Sequence, residues 1–322
     1  MPERSCRPSF AKRVASRVTD LLAVSVATLL GLVGWRTTLR LGSLLGRVAY
    51  RICPRKGARG RRNLSQAGVQ DCAKVVKSAW QSVSQTTLEI LWLTSRRPDQ
   101  VMDRLKIVGL DVLRAAAGEG RGVLLVSGHL ANWEYMSLAA AKAGIPLAVV
   151  AETMRTRRLE RLMVRFRQRC GVRTLMRGGP GTSFVAARWL FRGGLLGCMI
   201  DRTRFGSRIT VPFLGQATRM PLGPARLACR TGSAVVLACA QRLADGTTQV
   251  VFKRLPTDGL DDPSELTRRI GLALEHEVGL RPEQWLWIFR RQPSVEGIRA
   301  AESPEFETPI VSEGFLVARH SK

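Results

Sequence analysis

The chain has 322 residues, 45% of them apolar, and its 51 Lys and Arg against 25 Asp and Glu give a formal charge of +26. Such an apolar share excludes a disordered chain and suffices for one large domain with appendages or for two smaller ones. The charge predicts attraction to polyanions, whether nucleic acid, anionic lipid or phosphorylated substrates, and names none of them by itself.

In chain order, a basic stretch (Arg4, Arg7, Lys12, Arg13, Arg17) precedes a mostly apolar run from Val18 to Trp35, interrupted by Asp20, Ser25 and Thr28. No small-residue cleavage site follows it, because the chain continues into Arg36, Arg40, Arg47 and Arg51. The run barely reaches the roughly 20 residues that a bilayer core demands. It reads as a membrane anchor that spans marginally or lies in the interface, with basic flanks against anionic headgroups. A buried amphipathic helix is the other reading. Leu39 to Ile52 looks like a second amphipathic helix, Arg55 to Arg62 like a basic connector, and Asp71 to Leu93 like a long helix with Val75, Val76, Ala79, Val83 and Ile90 at helical spacing.

From Lys106 the texture changes to short β-rich runs alternating with helical segments. The strands are placed at Gly122–Ser127, Pro146–Ala151, Leu195–Ile200, Ile209–Leu214, Ala234–Ala240 and Gln249–Phe252. Helices are placed at Asn132–Ala143, Arg157–Cys170, Gly181–Phe191, Leu222–Arg230 and Pro263–Val278, the last with Asp262 before Pro263 and Glu265 after it. This alternation predicts an α/β fold, a mixed central sheet flanked by helices. The expected organisation is an anchor over 1–38, one main α/β domain over 39–293, and a loosely held tail rich in Glu, Pro and Ser over 294–322.

Seven scattered cysteines without a C-x-x-C pair predict neither a disulfide framework nor zinc, and with His129, His276 and His320 as the only histidines a multi-histidine metal centre is not expected. No cofactor is expected. The most informative segment is Gly122-Val-Leu-Leu-Val-Ser-Gly-His-Leu-Ala-Asn-Trp-Glu134, in which an apolar strand delivers His129 at its carboxyl edge, where open α/β sheets place their sites. With a helix beginning nearby, Glu134 falls in its first turn and can orient the imidazole, giving a general base and its carboxylate. On spacing alone that pair is weak evidence.

The segment resembles the His-x4-Glu/Asp block of glycerolipid acyltransferases, specifically the lipid A lauroyl and myristoyl acyltransferase family. Arg62-Asn63-Leu64 looks like that family's Arg-x-Asn-Leu element, and Glu89 is similar in position to its usual glutamate. Arg167-Gln-Arg169-Cys-Gly171, Asp201 after its strand, and Val211-Pro-Phe-Leu-Gly215 follow in the family's order, as do Gly223-Pro-Ala225, Thr231-Gly-Ser-Ala-Val235 and Arg281-Pro-Glu-Gln-Trp-Leu-Trp-Ile-Phe-Arg-Arg291. The match is collinear over nearly the whole chain. It departs at Met154-Arg-Thr-Arg-Arg158, which lacks the family's Asn-Pro, and at Asp201-Arg-Thr-Arg204, where the family commonly carries Gln and a second Asp.

The resemblance implies that His129, aligned by Glu134, deprotonates an acceptor hydroxyl, which attacks the thioester of an acyl carrier protein without a covalent acyl-enzyme. It further implies an anionic lipid A precursor as acceptor, and attachment to the cytoplasmic face of the inner membrane. Arg167 and Arg169 are candidates for phosphate or oxyanion contacts, against the alternative of solvated surface charge. Asn132 is grouped with them as substrate-binding, and Asp201 either holds an active-site arginine or caps its turn. Trp285 and Trp287 read as core.

Three rivals remain. One is an acyltransferase for another anionic glycolipid, such as a phosphatidylinositol mannoside. A second is a non-catalytic basic protein that binds membrane or nucleic acid, although no nucleic-acid motif is present. A serine hydrolase would want a Gly-x-Ser-x-Gly elbow, which Val126-Ser127-Gly128-His129 does not supply.

Overall fold

Strands covered by helices on both faces favour continuous apolar runs, and β2 (Val123–Ser127) has one from Val123 to Val126, all five of its residues being buried. The computed structural model describes residues 21, 24–154, 156–179, 181–202, 206–257 and 260–289. Its sheet adds β1 (Leu105–Val108), β3 (Leu147–Ala151), β4 (Val172–Met176), β5 (Leu195–Met199), β8 (Ala234–Arg242) and β9 (Thr248–Leu255). The seven strands lie in the order β1-β9-β8-β2-β5-β3-β4. Parallel pairing joins β8, β2, β5, β3 and β4, whereas β9 returns antiparallel to β8 and carries β1 parallel to itself. A separate hairpin of β6 (Arg208–Phe213) and β7 (Gln216–Pro221) stands beside the sheet.

The helices are α1 (Trp35–Ile52), α2 (Pro54–Gln66), α3 (Cys72–Leu93), α4 (Leu110–Gly118), α5 (Glu134–Ala141), α6 (Arg157–Arg169), α7 (Thr182–Phe191), α8 (Gly223–Thr231) and α9 (Pro263–Leu280). Alternation along β2 splits the core into two layers. Val123 and Leu125 pack with Tyr135, Leu138 and Phe166 beneath α5 and α6. Leu124 and Val126 pack with Leu190, Ile270, Leu274 and Trp287 beneath α7 and α9. The expected start of α9 holds, since the Asp262 carboxylate accepts from the N–H groups of Ser264 (2.9 Å) and Glu265 (3.2 Å).

The mixed α/β architecture is as expected, with corrections in detail. Arg55 to Arg62 is not a connector but part of α2, whose Gly57 and Gly60 are buried. A Cβ at Gly60 would fall 2.3 Å from a methyl of Val76, so this glycine marks a close helix contact rather than a break. The same logic joins α1 to α3, where a Cβ at Gly42 or Gly46 would lie 2.5 Å from the Cα of Gln85 or Gln81. The short elements β1, β4, β7 and α4 are not foreseen in the sequence. Of the expected anchor, residues 24–32 are helical and Trp35 opens α1, while the basic stretch before it and the tail from Ser294 lie outside the described residues. Among the described residues no helix is long and apolar enough to cross a membrane.

Candidate active site

Strands β2 and β5 are neighbours in a register that pairs Ser127 with Met199. Two residues beyond those ends stand His129 and Asp201. The sheet therefore brings the imidazole and the carboxylate together without any help from sequence proximity. His129 Nδ1 lies 2.7 Å from Asp201 Oδ1, the His129 backbone N–H donates to Oδ2 at 2.8 Å, and Trp285 Nε1 donates to Oδ2 at 3.0 Å. The intervening Gly128 is closely packed: a Cβ there would lie 2.9 Å from both Leu274 methyls and 3.3 Å from Asp201 Oδ2, so Leu274 would have to shift.

Burial would push the Asp201 carboxyl up, but the facing His129 and the hydrogen bonds from its ring, its backbone and Trp285 hold it below the usual carboxylate range. With Nδ1–H donating to an ionised carboxylate, Nε2 carries the lone pair that can accept a proton. The imidazole is one-fifth exposed, and the Trp133 ring meets it edge-on at 4.8 Å between centroids.

Glu134 does not orient the imidazole, which corrects the reading from spacing. It opens α5, and both its oxygens are taken by Arg167 of α6, Nη2 at 2.6 Å and Nε at 3.0 Å. Burial would lower the Arg167 pKa, but the Glu134 charge and hydrogen bonds raise it. Among the described residues no arginine bonds Asp201, which is instead the carboxylate on the histidine.

The loop between β2 and α5 is fixed from beneath by α3. Ala131 adopts a positive φ of 41°, costly for a non-glycine residue. Two hydrogen bonds hold it there, its N–H to Gln284 O (3.0 Å) and its carbonyl from Thr86 Oγ1 (3.0 Å). Asn132, grouped above with substrate contacts, is fully buried instead: its amide donates to Glu89 Oε2 at 3.1 Å and its oxygen accepts the N–H of Glu134 at 3.2 Å. Glu89, also fully buried, further accepts from Trp35 Nε1 (2.7 Å), Tyr135 Oη (3.2 Å) and Arg242 Nη2 (2.5 Å). Arg169 turns away to the carbonyl of Thr94. Of the expected residues, His129, Glu134, Arg167 and Asp201 line one large pocket, and Asn132 and Arg169 do not.

The lining of that pocket is mixed. Its apolar part includes Ile90 and Leu91 of α3, Met136 and Ala140 of α5, and Leu159 and Met163 of α6, together with the cross-strand row Leu125, Gly197 and Val149, with the glycine in the middle. The lining also carries Arg177, Arg202, Arg219, Arg226 and Arg230, and the acidic Glu152 and Glu160. Of these arginines, Arg202 is marked in the sequence by the departure Asp201-Arg-Thr-Arg204, whereas spacing gives no hint of the other four. A glycine inside the buried run Leu195–Met199 is a legible signal of close approach by something else. Among the described residues no cluster of His, Cys, Asp or Glu could hold a metal ion.

A profile described as bacterial lipid A biosynthesis acyltransferase matches residues 7–292. A phosphatidylinositol mannoside acyltransferase of Mycolicibacterium smegmatis is 26% identical over 264 residues, covering 78% of this chain and 86% of the relative. Its counterpart in Mycobacterium tuberculosis is 28% identical over 198 residues, 60% of this chain and 61% of the relative. A lipid A biosynthesis acyltransferase of Haemophilus influenzae is 23% identical over 245 residues, 72% of this chain and 76% of the relative.

Proposed function

The chain belongs to the bacterial lipid A biosynthesis acyltransferase family, and within that family of acyltransferases we propose that His129 is the base that moves a fatty acyl chain from a thioester to a hydroxyl of a phosphate-bearing glycolipid. The observation that carries this reading is the place of His129, backed by Asp201, in a large pocket whose lining includes both apolar side chains and several arginines. The apolar part suits an acyl chain, at about 0.8 kcal/mol per buried methylene. Guanidinium forks in the same lining suit phosphate.

In the proposed reaction His129 Nε2 takes the hydroxyl proton as the oxygen attacks the thioester carbonyl. The tetrahedral intermediate then collapses, the C–S bond breaks, and the imidazolium returns its proton to the departing sulfur. Asp201 holds the tautomer and stabilises the imidazolium. Arg167, fixed by Glu134, supplies positive charge in the same pocket as the oxyanion forms. The donor we propose is an acyl carrier protein, whose acidic surface would complement the charge of +26. We propose that the reaction takes place at the cytoplasmic face of the inner membrane.

For the acceptor, the longer match to the phosphatidylinositol mannoside acyltransferase, over 86% of its length, favours a mannoside over a lipid A precursor. The loss of Asn-Pro after Met154 is in keeping with an acceptor site that differs from the lipid A pattern. The test is transfer from a labelled acyl carrier protein thioester to each purified glycolipid in parallel. Ester on the mannoside alone supports this choice. Ester on the lipid A precursor alone reverses it, and ester on neither overturns the acceptor class.

A further inference from the structure

We infer that Trp285 is a positioning residue for acyl transfer, its indole N–H holding the Asp201 carboxylate in the orientation from which Oδ1 faces His129 Nδ1. The inference rests on the reading of His129 as the base, and it concerns a side chain whose spacing in the sequence reads as plain core.

Asp201 stands two residues past the end of β5, and its side chain is fully buried. A buried carboxylate needs donors for its charge. Among the described residues His129 and Trp285 supply them. His129 bonds both oxygens, from its ring to Oδ1 and from its backbone N–H to Oδ2. A carboxylate held by those two bonds alone would follow every movement of the loop that carries the base. The bond from Trp285 Nε1 to Oδ2, at 3.0 Å, ties it to a different part of the chain.

That part is closely held. The Trp285 ring is buried, and Phe213 of β6 and Trp287 meet it edge-on at 5.8 and 4.9 Å between centroids. Trp287 is itself fully buried, donates from its indole to the Pro282 carbonyl, and accepts on its own carbonyl from Asn63 Nδ2 of α2 at 2.8 Å.

The preceding residue braces the other half of the pair. The Gln284 carbonyl accepts the N–H of Ala131, two residues beyond His129, at 3.0 Å. Its side chain bonds both the N–H (2.7 Å) and the carbonyl (2.9 Å) of Arg242, the last residue of β8. Two neighbouring residues thus support the loop that bears the base and the carboxylate behind it. A core filler would need only the ring of Trp285, whereas a positioning residue needs its nitrogen.

Packing and donation separate in a variant that keeps the shape and lacks the donor. The test is transfer from an acyl carrier protein thioester to phosphatidylinositol mannoside by wild type, Trp285→Phe and Trp285→benzothienylalanine, an indole isostere with sulfur in place of the N–H. Circular dichroism monitors the fold, and His129→Ala is the control. The isostere is expected to lower kcat by about tenfold or more while KM for both substrates stays within about twofold. Trp285→Phe should lose at least as much kcat and also stability, since it empties part of the ring's site. A second readout needs no substrate. The proton on His129 Nδ1, followed by NMR, should exchange with water faster in the isostere than in wild type. Wild-type kcat in the isostere, or unchanged exchange of that proton, overturns the inference and leaves Trp285 as core. A fully active His129→Ala would instead overturn the reading of the base, and the exchange of the Nδ1 proton would still decide the role of Trp285.

Discussion

His129 and Asp201 are 72 residues apart in the chain, yet the carboxylate of one takes hydrogen bonds from both the ring (2.7 Å) and the backbone N–H (2.8 Å) of the other. Two contacts fix the imidazole in position and in tautomer. Asp201→Asn should therefore cut kcat by about 10³–10⁴, because an amide facing Nδ1 favours the tautomer with its proton on Nε2. The measurement is kcat for acyl transfer, with folding checked by circular dichroism. The same substitution bears on stability against pH. A carboxyl whose folded pKa is depressed stabilises the fold above its unfolded value of about 3.9, and that contribution is lost as pH falls through the folded value. Acid titration of wild type should show this loss and Asp201→Asn should not.

The Glu134 and Arg167 pair predicts a different pattern. Both side chains are largely buried, so breaking the pair from either side leaves an uncompensated group and should cost about 3–5 kcal/mol. Glu134→Gln and Arg167→Gln should be strongly non-additive in urea unfolding, the double variant being little worse than either single one. Additive losses would mean that the two side chains act independently.

Gly197 predicts selectivity for chain length. It lies in the pocket lining between Leu125 and Val149, and the atom nearest an added Cβ would be Val149 Cγ1, at 3.1 Å, so a side chain there would press on Val149 and enter the pocket. Gly197→Ala and then Gly197→Leu should shift the donor optimum progressively to shorter acyl chains, by about fourfold in kcat/KM for each methylene that loses its site. A parallel fall for all chain lengths would instead indicate general damage to the sheet.

Glu89 ties together Trp35, Asn132, Tyr135 and Arg242, so Glu89→Ala should cost about 3–5 kcal/mol and release the loop that carries His129. Hydrogen exchange at the amides of Ala131 and Glu134 checks this directly. Faster exchange there than elsewhere at equal global stability is the expected result.

Legibility in the sequence followed locality. Strand β2 and the start of α9 could be read because continuous apolar runs and an Asp-Pro cap carry their own signal. Histidine 129 could be placed at a sheet edge for the same reason. Its partner could not be chosen correctly, because Glu134 is near in sequence while Asp201 is near only through the pairing of β2 with β5. Short elements such as β4 and β7 draw their stability from neighbours and carry little periodicity. The glycines of α2 resemble breaks until the helix packed against them is known. Asn132 and Arg169 were legible as polar residues near the site, but the direction of a side chain is set by packing.

The most direct test of the central claim is single-turnover transfer from an acyl carrier protein thioester to a purified phosphate-bearing glycolipid, wild type against His129→Ala. Transfer by wild type and a loss of about 10³-fold or more in a folded His129→Ala is the predicted result. Equal rates in the two proteins would contradict the assignment of His129 as the base.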